Sequence, residues 1–117
     1  MAADDPCWMS AAELAAQIKK YNLLLTPPIA GTPFPIGLDN PTEIAGTPVE
    51  PYDWVPFTFP FNMTGHPGAS VPCGFTPDRL PVGLQLVGRR FEDATVLRAA
   101  AAFERLQPWA QLKPPIG

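Results

Sequence analysis

Proline sets the terms on which this chain can fold. Seventeen of its 117 residues are proline, about three times the ordinary ~5%, and most fall between positions 27 and 81. Each lacks a backbone N–H and holds φ at roughly −65°. The middle of the chain therefore carries neither a long helix nor an uninterrupted central strand. Regular structure is pushed to the two ends and to short runs between prolines. Disorder does not follow, because aromatic, Leu, Ile and Val residues are interleaved with the prolines. With 46% apolar residues, residues 1–117 read as a single domain able to bury a core.

The N-terminal end reads as a helix over 10–21. Ser10 and Glu13 have the spacing of a capping box, and Met9 and Leu14 that of a hydrophobic staple. Leu14, Ile18 and Tyr21 repeat at helical spacing, with Lys19 and Lys20 in the last turn, where the helix dipole favours cations. Leu23, Leu24 and Leu25 then form a short apolar run closed by prolines, which predicts a strand buried on both faces. Residues 27–56 show no sustained period, and Gly31, Gly37 and Gly46 punctuate them. This predicts a long loop, functional or pinned to a neighbour.

Beyond it, "ASVPCGF" reads as a strand with Val71, Cys73 and Phe75 on one face, "TPDRLP" as a turn, and "VGLQLVG" as a second strand. Together they predict a hairpin over 69–88. Pro72 requires an edge strand or an unpaired side at that point. Glu92 and Asp93 open a last helix over 92–106, with Val96, Ala99, Ala100, Phe103 and Leu106 as its buried stripe and Pro108 as its stop. The fold class is α/β: about three strands in a mixed sheet with a β-hairpin, two main helices and the long Pro-rich loop. Strands buried on both faces are rarely so few, and their outer edges would stay unpaired. The sheet reads as cut from a larger one.

Charge supports that reading. Only 16% of residues are charged, against roughly 25% in an average soluble domain, so part of the surface is expected to lie against something else. A net charge of −3 without a basic cluster excludes nucleic acid as a direct partner. No apolar run approaches the ~18 residues of a membrane span. The first ten residues carry acids where a signal peptide has bases, so a cytoplasmic location is expected. Cys7 and Cys73 form no C-x-x-C pair and are expected as free thiols.

Candidates for chemistry fail one by one. Ser70 in "GASVP" begins like a nucleophile elbow, but Pro72 replaces the final glycine and the order is turn then strand. His66, the sole histidine, has no cluster of carboxylates or thiols with which to hold a metal. Cys73, between Pro72 and Gly74, lacks the neighbouring cation that would make it a thiolate. Asn62-Met63-Thr64 matches a glycosylation sequon by chance, and Asn62 is expected to cap or buttress the turn ending at Gly65. No phosphate loop or dinucleotide pattern is present. The residues alone describe a scaffold, with no catalytic group, no metal and no cofactor assigned.

Four spaced elements then carry a resemblance: T-x-P-x-N at 58–62, S-V-P-C-G at 70–74, L-P-V-G-L-Q at 80–85, and F-E-D-A-T-V-L at 91–97. With "YNLLLTPP" before them, residues 21–109 closely resemble the C-terminal end of amidase signature enzymes. The resemblance implies amide hydrolysis or transfer through an acyl-enzyme, using a serine, a second serine in a cis peptide and a lysine base. Those residues belong to a Gly- and Ser-rich signature well upstream in such enzymes. Here the only serines are Ser10 and Ser70, so none of the three roles can be placed. The resemblance also implies that the segment closes one side of a substrate pocket, with Trp54, Val55, Phe57 and Phe59 lining it. Their apolar character leans toward an aryl or aliphatic amide. Two readings result: the C-terminal part of an amidase, inactive alone and partnered by a missing N-terminal amidase portion or by its own copies; or a stand-alone binding or assembly module derived from one.

Overall fold

The computed structural model describes residues 11–114. Its centre is a hairpin, β4 (Gly68–Phe75) and β5 (Pro81–Gly88), joined by a five-residue turn. Thr76 closes that turn: its N–H donates to the Leu80 carbonyl at 2.9 Å, and its hydroxyl accepts the Leu80 N–H at 3.0 Å. Pairing runs from Gly68 opposite Val87 to Phe75 opposite Pro81, with a register shift between Pro72 and Gly74. Pro72 has no N–H for the ladder, and Cys73 becomes the extra, bulged residue. The bulge reverses the alternation beyond it. Gly74 takes the face of Val71, while Phe75, expected to share that face, turns away and is exposed.

Strand β1 (Leu23–Thr26) pairs with the other side of β5, giving the order β1-β5-β4 with both pairings antiparallel. The mixed character expected of the sheet is thus absent from these strands: a five-residue turn forces β4 to run back along β5, and β1 enters in the same sense. Pro72 lies on an edge strand, as its missing donor requires. Leu25 departs from the expected two-sided burial: it is 58% exposed on β1, an outer strand of the sheet among the described residues.

The two faces of β5 carry two cores. On one, Val71, Leu86 and Val96 are buried, with Leu23, Ala69, Leu84, Ala99, Ala100, Phe103 and Trp109 around them under α3 (Asp93–Leu106). On the other, Val87, fully buried, packs with Leu14, Ile18 and Phe61, and Leu24 flanks them. Gly88 lets α3 approach: a Cβ there would stand 2.6 Å from Val96 Cγ2. The stripe of α3 ends before Leu106, the last residue of the helix, which is 85% exposed.

The N-terminal helix, α1, occupies Ala11–Lys20. Tyr21, expected in its buried stripe, lies just beyond its end and is exposed, with the Lys20 ammonium 5.5 Å from its ring centroid. Arg89, at the end of β5, caps α1 by donating to the Lys19 carbonyl at 3.1 Å and to Asn22 Oδ1 at 3.2 Å. This places a cation at the negative end of the helix. Ser10, Met9 and Cys7 lie outside the described residues.

The long loop contains a feature the sequence reading lacks. Strands β2 (Glu43–Ile44) and β3 (Thr47–Pro48) form a small hairpin. Ala45 and Gly46 between them have φ of 51° and 77°, the positive values a two-residue hairpin turn requires. A second addition is the short helix α2 (Phe59–Thr64), with Pro60 in its first turn and Gly65 (φ 69°) closing it. Asn62 lies inside this helix, its N–H donating to the Thr58 carbonyl, and does not cap the turn.

Candidate functional site

The stretch from residue 50 to 66 presents the residues singled out for a pocket. Its backbone is set by local bonds. The Glu50 N–H donates to Asp53 Oδ2 at 2.8 Å, and the Val55 N–H to the Tyr52 carbonyl at 3.1 Å. The Val55 carbonyl accepts the N–H groups of Thr58 and Phe59, both at 3.3 Å, and the Thr58 hydroxyl at 3.2 Å. Three donors on one carbonyl fix the entry to α2. Phe61 then anchors α2 in the core beside Val87.

The four candidate wall residues divide into two pairs. Trp54 and Val55 are half-buried, and the Trp54 ring meets Phe34 edge-on at 5.5 Å and 81°, an arrangement favoured by the ring quadrupoles. Phe57 and Phe59 stand at the surface, 36% and 48% exposed. A hollow of about 440 Å3 lies elsewhere in the loop, lined by Ala30, Phe34, Leu38, Pro41, Ile44 and their neighbours, and none of the four borders it. Two apolar rings are instead offered outward beside the sheet.

Ser70 lies on β4 opposite Gln85, exposed, and among the described residues its hydroxyl has no hydrogen-bonded base. His66 is held elsewhere: its Nδ1 lies 2.8 Å from Thr64 Oγ1, whose own proton goes to the Pro60 carbonyl at 2.9 Å. The ring nitrogen is therefore the donor. Partial burial, and then the nearby Arg90 guanidinium, lower the His66 pKa below 6.5. Cys73 is half-buried at the bulge, and its carbonyl accepts Gln107 Nε2 at 3.2 Å. No group of His, Cys, Asp and Glu among the described residues is arranged to hold a metal. No helix among them is long and apolar enough to cross a membrane.

Comparison with known proteins settles the lineage. The amidase family model matches residues 3–97. The chain belongs to the amidase family. An acylamidase of Rhodococcus erythropolis is 44% identical to this amidase chain over 96 residues, which are 80% of the chain and 20% of the relative. A glutamyl-tRNA(Gln) amidotransferase subunit of Moorella thermoacetica is 44% identical over 99 residues, 85% of the chain and 19% of the relative. The crystal structure of a bacterial aryl acylamidase of the amidase signature family superposes with a TM-score of 0.75 at 36% identity, covering 86% of this chain and 21% of that one. The amidase chain thus spans about a fifth of the length of the relatives it matches. The expected α/β layer cut from a larger amidase signature fold is what these superpositions give.

Sequence reasoning missed Gln85, which the structure makes the buried polar centre of the sheet. The signal was present: a lone amide in the apolar strand "VGLQLVG" is costly unless it is bonded.

Proposed function

We propose that this chain is the C-terminal portion of an amidase signature domain, which supports amide hydrolysis only when the upstream part of such a domain is joined to it. The observation that carries this reading is the family match over 3–97 in a chain spanning about a fifth of its relatives. The shape agrees. The described residues form a slab 19 Å thick with a radius of gyration of 16.1 Å, against about 13 Å for a compact domain of this length. Both outer strands are edges, and Leu25, Phe91, Leu97 and Leu106 are exposed. Such a surface favours association. Its partner in this reading is the N-terminal amidase portion, or further copies of the chain where that portion is absent, in the cytoplasm. Static light scattering at micromolar concentration is expected to give an oligomer for the chain alone.

In the completed domain Trp54, Val55, Phe57 and Phe59 wall the amide pocket, and their apolar side chains select aryl or aliphatic amides over charged ones. The experiment is a chimera in which this chain replaces the matching segment of the Rhodococcus acylamidase. It is expected to hydrolyse aryl amides, with kcat/KM lowered by Phe57→Asp. A folded but inactive chimera, or one indifferent to Phe57→Asp, contradicts the reading.

A further inference from the structure

Residues 27–58 leave the sheet at the end of β1 and return at the start of α2, and both ends meet at one side chain. Gln85 lies on the central strand β5 and is 7% exposed. Its Nε2 carries two protons. One bond goes to Thr26 Oγ1 at 2.9 Å, the last residue of β1. The other goes to the Phe57 carbonyl at 2.7 Å, just before α2.

We propose that the Gln85 carboxamide is the positioning group that closes the neck of the Pro-rich loop and so sets where residues 54–59 stand. Proline explains why a side chain has this task. Pro27, Pro28 and Pro56 flank the neck and have no N–H to offer, and the Phe57 carbonyl takes its donor from the sheet instead. A buried amide that uses both protons avoids the penalty of an unsatisfied group. Two further contacts stack above the clamp. The Ala30 N–H donates to the Trp54 carbonyl at 3.0 Å, and Phe34 meets Trp54. Below them Pro28 is pressed onto β5 so closely that a Cβ at Gly83 would stand 2.9 Å from its Cγ. The clamp stands on these contacts. Its consequence for substrate rests on the pocket-wall reading above.

The test is residue-level amide hydrogen exchange by NMR on the 117-residue chain. In Gln85→Leu, which keeps the bulk and removes both donors, protection of the Ala30 amide is expected to fall roughly tenfold or more, while the α3 amides of Ala99 and Ala100 keep theirs. In Gln85→Glu the loss is expected at neutral pH. It recovers in part as pH falls and the protonated acid regains one O–H for the Phe57 carbonyl. In the unsubstituted chain, the Gln85 carboxamide protons are expected to exchange more slowly than those of exposed Gln17 and Gln111. Unchanged Ala30 protection in Gln85→Leu, loss that merely tracks α3, a Gln85→Glu variant without recovery, or a Gln85 carboxamide exchanging as fast as Gln17 would each overturn the clamp. The last comparison needs no variant to fold. In the chimera, Gln85→Glu is expected to raise KM for an aryl amide more than it lowers kcat. If only that arm fails, the pocket-wall reading falls and the clamp stands.

Discussion

The β4–β5–α3 unit and the loop at 27–58 adjoin one another, yet different forces hold them. The unit is built on alternation: Leu84 and Leu86 on one face of β5 meet Val71, Val96 and Phe103, and its ladder is continuous except at one bulge. The loop buries a single side chain, Pro41, and has only two short strands. It is placed by a few polar contacts: Gln85 at its neck, Ala30 to Trp54 above it, and Asp53 with Glu50 at its far turn. Apolar burial is non-directional and fixes a layer, whereas isolated hydrogen bonds fix a shape without much stability. The unit is core in its own right, and the loop is a surface held to one shape by directional contacts.

If the unit is the core, its buried apolar side chains carry the largest share of stability. Leu86→Ala is expected to cost ~2–5 kcal/mol, the range for a buried leucine, measured by urea unfolding. A loss under ~1 kcal/mol would place the stability elsewhere. Phe103→Ala sharpens the same point. From the sequence its ring reads as full core, but the structure leaves it half-buried beside Trp109, with ring centroids 6.4 Å apart. The expected loss is about 2–3 kcal/mol, below the ~3–5 of a fully buried ring. Ser70→Ala, on the exposed side of β4, is expected to cost at most ~1 kcal/mol. A serine change more damaging than the phenylalanine change would mean that Ser70 belongs to a site.

The smallest effect lies between α2 and β4, at His66. Its pKa is lowered in the fold by burial and by Arg90, so the unfolded chain binds the proton more readily. Stability is then fully present above 6.5 and declines as pH falls through the lower folded pKa. Parallel melts from pH 7.5 to 5 are expected to show a shallow loss that His66→Asn reduces. A rise in stability on acidification that depends on His66 would reverse the assignment.

Legibility in the sequence followed the same division. The hairpin and α3 could be read because β-alternation and helical spacing are each long enough to register. Both readings overshot at the ends of elements: Tyr21 keeps the period but lies past the end of α1, Leu106 keeps it as the exposed last residue of α3, and the bulge at Cys73 turns Phe75 outward. The period of a stripe says which face it is on, not where the element ends. In the loop, β2 and β3 are two residues each, too short for any period. Helix α2 was hidden by its aromatics, although Pro60 in the first turn and Gly65 at the end are start and stop signals. The family was legible in four spaced motifs. The pocket wall came from resemblance alone, because nothing in the spacing of Trp54, Val55, Phe57 and Phe59 says what faces them.

In the reading proposed above, this chain is amidase scaffold without a nucleophile and base of its own. Its most direct test is turnover of a panel of aryl and aliphatic amides by the purified 117-residue chain. The account predicts no hydrolysis above background, and the same null result for Ser70→Ala. Hydrolysis that survives purification and disappears in Ser70→Ala would contradict it.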